Sequence, residues 1–301
     1  MTRKLREYAE LENQLLVIDE RLAECSYNVM TNLPCQSKQY ARSKLAILME
    51  MMLLLDEESA GISDRQRQLI QAQYQVSAIE HQDNISDLKE EINECVCSYW
   101  RKSGLGFSER HSILCESTCE AERRDAWEHV YPLANEVSTK YKTLVELRNE
   151  NARKHGYVNF SAMKMLISGM CPDGATKLCR EYLGDTEEEY TVALTEKARL
   201  LGVTKESPWN TSYLLSTGFE REHRTQLDIE NAIDLVFGKL GFQLRSMPIE
   251  IELTDVPYGA VCISFRPGGK TVVLINQCGS IEDFGYTLHE VTHALQNIII
   301  V

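Results

Sequence analysis

The stretch that decides the fold is YGAVCISFRPGGKTVVLINQCGSIEDFGYTLHEVTHALQN, residues 258–297. Its first two apolar runs, YGAVCISF and KTVVLIN, have the alternating, β-branched content of strands. RPGGK between them has the residues of a tight turn, which predicts a hairpin. PIEIEL, just upstream, predicts a further strand. We therefore expect a small sheet immediately before a helix that carries TLHEVTHALQN.

That helix carries a His-Glu-x-x-His motif. Ser280 followed by Asp283 resembles a capping box, so we expect the helix to begin there. His289 and His293 are four residues apart and share one face, where two imidazoles can bind one zinc ion. Glu290 lies at the edge of that face, where it can act as general base on a zinc-bound water. The motif predicts hydrolysis of peptide bonds with zinc as cofactor.

The motif and the first strand of the hairpin can each be interpreted in more than one way. The motif could be a solvent-facing helix with two histidines and a carboxylate. The strand from Tyr258 to Phe265 could be an exposed sheet edge, which pairs with an extended peptide through backbone hydrogen bonds. It could equally be a buried strand without a binding role.

Residues 1–205 have apolar residues at helical spacing and few breakers, which predicts a helical lobe. We expect one very long helix from DRQRQ to ECVCSYW, and another from AERRD to ARKHG with a kink at Pro132 and an end at Gly156. Long charged helices also occur in coiled-coil scaffolds. Because the apolar spacing does not hold a strict heptad, we favour a packed lobe, followed in residues 206–301 by the start of a catalytic lobe.

Charge and hydropathy exclude several classes of partner. The formal net charge is −13, with 45 acidic and 32 basic residues, which argues against nucleic acid and against an anionic membrane surface. The longest apolar run, Leu45 to Leu55, is interrupted by Glu50 and is too short to span a bilayer. We expect no membrane segment.

The chain has ten cysteines and no secretory signal pattern, which predicts reduced thiols in a cytoplasmic protein. Cys95 and Cys97 form C-x-C, and Cys115 and Cys119 form C-x3-C, which match neither common zinc spacing. If the second pair is helical, it shares a face, and a soft-metal or redox role is one interpretation. The alternative is ordinary thiols.

Several segments, in order along the chain, resemble the M3 family of zinc peptidases, which includes oligoendopeptidase F and thimet oligopeptidase. They are LVELRNENARKHGYVNF, ESPWNTSYL, LDIENAIDLVFGKLGF, YGAVC, LIN and TLHEVTHALQ. There is a fainter resemblance to the M2 dipeptidyl carboxypeptidases. The segments span about residues 140–297, whereas the first 140 residues match only in being helical.

The resemblance implies a mainly α protein, with a large helical lobe followed by a small β-hairpin or sheet and the zinc-binding helix of a gluzincin-type catalytic lobe. It implies a zinc-dependent oligopeptidase of short peptides, with His289 and His293 as zinc ligands and Glu290 as general base. Gly259, Ala260 and Val261 would belong to the strand that aligns the substrate.

The chain departs from the family pattern in three places. Thr292 replaces a Gly before the second ligand, and a β-branched residue there is expected to crowd the packing behind the site. Asn210 replaces an Asp. The family's third ligand, a Glu on a following helix, has no counterpart before Val301. We therefore expect this chain to be the N-terminal part of such a peptidase, with a C-terminal half or a partner chain as the source of that ligand, and the activity of the chain as it stands is left open.

Two other functions remain as alternatives. One is a catalytically dead helical remnant that binds peptides or a partner chain. The other is a helical structural protein in which the motif is a coincidence. Zinc binding separates the structural protein from the other two, and peptide cleavage that depends on Glu290 separates the peptidase from the remnant.

Overall fold

The computed structural model describes residues 3–31, 33, 37–55, 62–216, 226–254, 256, 259–276 and 281–299. Within them the chain is mainly helical, with one small mixed sheet. The α-helices are α1 (Arg3–Met30), α2 (Ser37–Leu55), α3 (Asp64–Glu80), α4 (Asp83–Lys102), α5 (Phe107–Glu116), α6 (Glu120–Glu128), α7 (Tyr131–Lys154), α8 (Phe160–Ile167), α9 (Pro172–Leu201), α10 (Thr211–Ser216), α11 (Gln226–Lys239) and α12 (Ile281–Ile299). The strands are β1 (Ile249–Leu253), β2 (Ala260–Ser264) and β3 (Thr271–Ile275). The predicted fold class is thus confirmed as mainly α with a small sheet.

By packing, the chain divides into two compact units. Unit 1 contains residues 1–94 and 137–176, and unit 2 contains residues 95–136 and 177–301. The boundary expected after residue 205 follows from sequence pattern rather than packing, and it stays a prediction. Within the described residues, every helix is too short or too polar to cross a bilayer.

Unit 1 is built from amphipathic helices whose apolar faces form two cores. One core joins α1, α2 and α3 around Leu48 and Met51, which have no exposed surface. The other joins α3, α4, α7 and α8 around Ile79, Ile85 and Met163. The apolar spacing read from the sequence therefore buries one stripe of each helix.

Two predictions about helix ends are wrong. The single long helix expected from DRQRQ to ECVCSYW is two helices, because α3 ends at a C-cap at His81 and α4 begins at Asp83. The long helix expected from AERRD to ARKHG is likewise two helices, because α6 ends at Glu128 and α7 begins at Tyr131. Pro132 therefore does not kink a helix but lies in the first turn of α7, where a missing N–H costs nothing. The predicted end at Gly156 is confirmed, since this glycine has φ +85° directly after α7.

The sheet of unit 2 has the order β1, β3, β2. β1 runs parallel to β3, and β2 runs antiparallel to it with Ala260 opposite Ile275 and Ser264 opposite Thr271. All five residues of β3 are buried, which explains its continuous apolar sequence TVVLI. The predicted hairpin is confirmed. Its turn is closed by the Phe265 N–H, which donates to the Lys270 carbonyl at 3.0 Å.

Helix α12 packs against β2 and β3. Val291, Ala294 and Leu295 of α12 lie in one core with Val273 and Ile275 of β3. Residues Ile229, Ile233 and Phe237 of α11 complete this core. The helix that carries the His-Glu-x-x-His motif is therefore fixed on the sheet by its opposite face.

The Trp-Asn-x-x-Tyr segment gathers around a buried arginine in unit 2. Arg123 and Asn210 are both 0% exposed. The Arg123 Nε and Nη2 donate to Asn210 Oδ1 at 3.0 and 2.7 Å, and Nη1 donates to the Ser117 carbonyl. The guanidinium lies 4.2 Å from the centre of the Tyr213 ring. We call Arg123, Ser117, Asn210 and Tyr213 the Arg123 cluster.

Candidate metal and peptide site

His289 and His293 lie on one exposed side of α12 and the half-buried Glu290 lies at its edge, and we call these three residues the His-Glu-His face. The Nε2 atoms of His289 and His293 are 3.1 Å apart. Their rings are nearly perpendicular, at 81°, with centres 4.7 Å apart. Both imidazoles are exposed, whereas Val291, between them in sequence, is buried. The helical period thus separates the packing face from the polar face.

The two imidazoles fit zinc as a pair of donors. Nitrogens that each bind a tetrahedral zinc at ~2.0–2.1 Å stand roughly 3.3 Å apart, close to the observed separation of the two Nε2 atoms. A zinc site normally has at least three protein ligands. Among the described residues, no group of three His, Cys, Asp or Glu side chains could hold a metal ion. The described residues therefore offer two imidazole donors, and a zinc ion bound there would need a third ligand from outside them.

Glu290 and His293 line an open cleft of about 660 Å³ beside β2. The other lining residues come from β2, from the hairpin turn and from the last turns of α12: Val261, Cys262, Ser264, Pro267, Gln296 and Asn297. Glu290 is half-buried, so its carboxylate is partly shielded from water yet accessible from the cleft. A molecule in the cleft would lie between a carboxylate and a strand.

Cys262 is the thiol on the strand side of the cleft. Burial raises the pKa of Cys262 to about 11, the hydrogen bond with Ser264 opposes that rise, and the negative charge of Glu290 adds to it. The thiol is therefore protonated at neutral pH and is a poor nucleophile.

β2 is an outer strand of the described sheet. The Asn276 N–H donates to the Gly259 carbonyl at 2.9 Å, and Phe265 bonds to Lys270 in the same way. Because bonded and non-bonded pairs alternate in an antiparallel ladder, Val261 and Ile263 also direct their backbone groups to β3. The backbone groups of Ala260, Cys262 and Ser264 then point to the outer edge.

The predicted substrate-binding residues Gly259, Ala260 and Val261 therefore differ in position. Ala260 presents its backbone to the outer edge, and Val261 lines the cleft. Gly259 lies directly before β2 against Tyr286 of α12, where an added Cβ would be 2.9 Å from the ring atom Cε2. Glycine is needed there because the strand and the aromatic ring approach closely. Their role in substrate binding stays a prediction.

Asn297 ties the last turn of α12 to the hairpin. Its Nδ2 donates to the Arg266 carbonyl and to Thr271 Oγ1, both at 3.0 Å. The backbone carbonyl of Asn297 accepts from the Gly268 N–H at 2.9 Å. Both hydrogens of the side-chain amide are thus used.

Thr292 does not crowd the packing behind the site, contrary to expectation. Its side chain is exposed, and its hydroxyl donates to the Leu288 carbonyl at 2.8 Å, one turn earlier in α12. Asn210 accepts both hydrogen bonds from Arg123 in place of a carboxylate. Ser280 and the side chain of Asp283, predicted to cap α12, lie outside the described residues.

The cysteine predictions are corrected in two respects. α5 ends at Glu116 and Cys119 is the N-cap of α6, so Cys115 and Cys119 do not share a helix face. Cys25 is disulfide-bonded, so the expectation of ten reduced thiols is wrong for that residue. The free cysteines in the described part of the chain include both members of the C-x-C pair.

Cys262, Ser264 and Asn297 line the cleft but were not predicted as site residues. Period-two alternation from Ala260 would have placed Cys262 and Ser264 on one side of the strand. Asn297 is four residues after His293 and therefore near the same helix face. The contacts of Asn297 with the turn could not be read from spacing.

Comparison with protein-family models gives no match for this chain, and comparison with the curated proteins gives no similar sequence.

Proposed function

We propose that this chain is part of a zinc-dependent peptidase that hydrolyses short peptides. The observation that carries the proposal is the convergence of the Nε2 atoms of His289 and His293, at 3.1 Å, on a helix whose Glu290 lines the same cleft as His293. Both imidazoles are exposed, and Glu290 lies on the wall of an open cleft. A helix face with no chemical role would not need two imidazoles that approach at the spacing of zinc ligands.

The chemistry would be divided between a metal and the residues of this chain. When bound by His289 and His293, zinc would lower the pKa of a water molecule and polarise the scissile carbonyl. Glu290 would take the proton from the attacking water and pass it to the leaving amine. Its half-buried position on the wall of the cleft supports this role, because the carboxylate would face the attacking water while its burial limits the access of other solvent.

The peptide would bind in extended form along the outer edge of β2. Backbone groups of Ala260, Cys262 and Ser264 point to that edge and can pair with a peptide strand. Such pairing depends on main-chain atoms and therefore accepts many side chains. This supports peptides as the substrate class, without selecting one sequence.

The third ligand is the missing element. Because no third ligand lies within reach among the described residues, we place it outside them, in another part of this chain or in a partner chain. Two imidazoles alone should hold zinc weakly, so the metal content should rise when that source is supplied.

Peptide cleavage by a Glu290→Gln variant tests the proposal. With zinc supplied and its content measured, we expect this variant to keep the metal and to lose roughly 10²–10⁴-fold in kcat. Glu146→Gln, the same chemical change at an exposed position of α7, should cleave like the native chain. Cleavage that survives Glu290→Gln would contradict the proposal.

A second candidate function is binding of peptides or a partner chain without catalysis. The lack of a third ligand among the described residues favours it. In that case the native chain would bind an extended peptide in the cleft and leave it intact, even with saturating zinc.

A further inference from the structure

The hairpin and α12 are held together at two places beyond their shared core. Near the start of α12, the ring of Tyr286 lies against the backbone of Gly259. Near its end, Asn297 bonds to the turn between β2 and β3. His289, Glu290 and His293 lie between these two anchors along the helix. The anchors therefore define how β2 lies relative to the His-Glu-His face.

The anchor at Asn297 is the more directional one. Its amide donates to one acceptor on each side of the turn, the Arg266 carbonyl and the Thr271 hydroxyl. The backbone carbonyl of Asn297 accepts from the N–H of Gly268, which has φ +69° in the same turn. Three hydrogen bonds in different directions restrain both sliding and rotation of the hairpin, whereas apolar contacts restrain mainly separation.

We propose that Asn297 is a positioning residue, which sets the register of β2 against the His-Glu-His face and so aligns a bound peptide with Glu290. This inference rests on the proposed function. The side-chain hydrogen bonds of Asn297 go to the hairpin turn and not to His289, Glu290 or His293. Asn297 acts through the hairpin turn, whose strand β2 offers the outer edge to a peptide.

The expected effect is large because catalysis depends on short distances. A displacement of about 1 Å between reacting groups can cost ~10²-fold in rate. Peptide pairing along β2 itself would persist, because its backbone groups remain. The loss should therefore appear in kcat, with KM changed little.

The variants follow from the three bonds. Asn297→Ala removes both amide contacts, and Thr271→Val removes one while keeping the shape of the side chain. Ile299→Ala is the matched control, because Ile299 lies in the same last turn of α12 and is 56% exposed. The three chains should be compared with the native chain in zinc content, in cleavage kinetics and in a reaction that does not depend on zinc.

That independent reaction is alkylation of Cys262 in the metal-free chain, followed by mass spectrometry of its peptide. Cys262 is half-buried between β2 and α12, so loosening of the hairpin should expose it. We expect Asn297→Ala to alkylate several-fold faster at Cys262, Thr271→Val to show a smaller increase and Ile299→Ala none. The exposed Cys171 serves as an internal reference.

The outcomes separate this inference from the proposed function. Faster alkylation together with unchanged zinc content and a kcat about 100-fold lower supports the inference. Unchanged alkylation in Asn297→Ala overturns it, whether or not the native chain cleaves peptides. If the native chain neither binds zinc nor cleaves, the proposed function fails, and a peptide-positioning role for Asn297 is overturned with it.

Discussion

The Arg123 cluster and the His-Glu-His face are both polar, both in unit 2, and opposite in their physical organisation. In the Arg123 cluster the guanidinium and the amide of Asn210 are fully buried, and their donors and acceptors meet one another. On the His-Glu-His face the imidazoles are exposed. In the part of the chain described, their only hydrogen-bond contact is with each other. The Arg123 cluster therefore has its hydrogen bonds satisfied within the protein, whereas the imidazole nitrogens of the His-Glu-His face can still bind a ligand.

This difference indicates different roles. A buried polar group must be satisfied within the protein, and its removal leaves partners unpaired, so the Arg123 cluster should control stability. Exposed groups with unused capacity add little to stability but can bind a ligand. Substitutions in the Arg123 cluster should therefore lower the free energy of unfolding most, and substitutions on the His-Glu-His face least.

Replacing Arg123 by methionine should have the largest effect on stability. Methionine has a side chain of similar length but leaves Asn210 Oδ1 and the Ser117 carbonyl without a donor. At ~1–3 kcal/mol for each unpaired acceptor, this should cost about 2–6 kcal/mol in free energy of unfolding. Denaturant titration measures this. Arg124→Met is the control, because Arg124 is 55% exposed in side-chain terms and lies 3.8 Å from Glu128. Equal effects of the two substitutions would break the contrast.

Glu80 in unit 1 provides an intermediate case. It accepts hydrogen bonds from Lys89 and Arg148, each at 2.8 Å. Burial raises the pKa of the Glu80 carboxyl, but these hydrogen bonds and charges outweigh it, so the pKa lies below the ordinary value of 4.5. The carboxylate therefore stabilises the fold above the ordinary pKa, and this contribution is lost as pH falls through the lower folded value.

We expect Glu80→Gln to cost about 1–3 kcal/mol near neutral pH and clearly less at acidic pH, where the native carboxyl is protonated too. Denaturant titrations of both chains at the two pH values give the difference. A cost that does not shrink on acidification would mean that the carboxylate charge is not what stabilises this contact.

Asn210→Asp should have a smaller effect. The aspartate still accepts from Arg123, but it loses the donor that Asn210 Nδ2 offers to the Thr204 carbonyl at 2.9 Å. Leaving that carbonyl unpaired should cost ~1–2 kcal/mol near neutral pH, partly offset by the charge pair with Arg123. Thermal or denaturant unfolding measures it. A more stable variant would show that the charge pair outweighs the lost hydrogen bond.

His289→Ala should have the smallest effect on stability. In the metal-free chain we expect a change within about 0.5 kcal/mol, because the imidazole is exposed and packs against no core. Denaturant titration without zinc provides the number. A loss as large as that of Arg123→Met would indicate that the motif is structural.

The comparison also shows which parts of the molecule the sequence could predict. The hairpin and α12 follow from local signals, since RPGGK allows a tight turn and His289 and His293 share a helical period. The Arg123 cluster was not predicted, because Arg123 and Asn210 are far apart in sequence and no local rule pairs them. Resemblance drew attention to Asn210, but not to its partner.

Helix ends were less predictable for a physical reason. The amphipathic pattern continues across His81 and Gln82, and neither is a strong breaker, so periodicity alone joined α3 to α4. In contrast, Gly156 was predictable because a positive φ favours glycine. The contacts of Asn297 depend on how the hairpin folds back onto α12, which only the tertiary structure gives.

Zinc content, measured by elemental analysis on the purified chain beside the His289→Ala variant, tests the central claim most directly. The account predicts that the native chain takes up zinc at the His-Glu-His face, approaching one ion per chain when zinc is in excess, and that His289→Ala loses it while remaining folded. No zinc in the native chain, or the same content in both chains, would contradict the account.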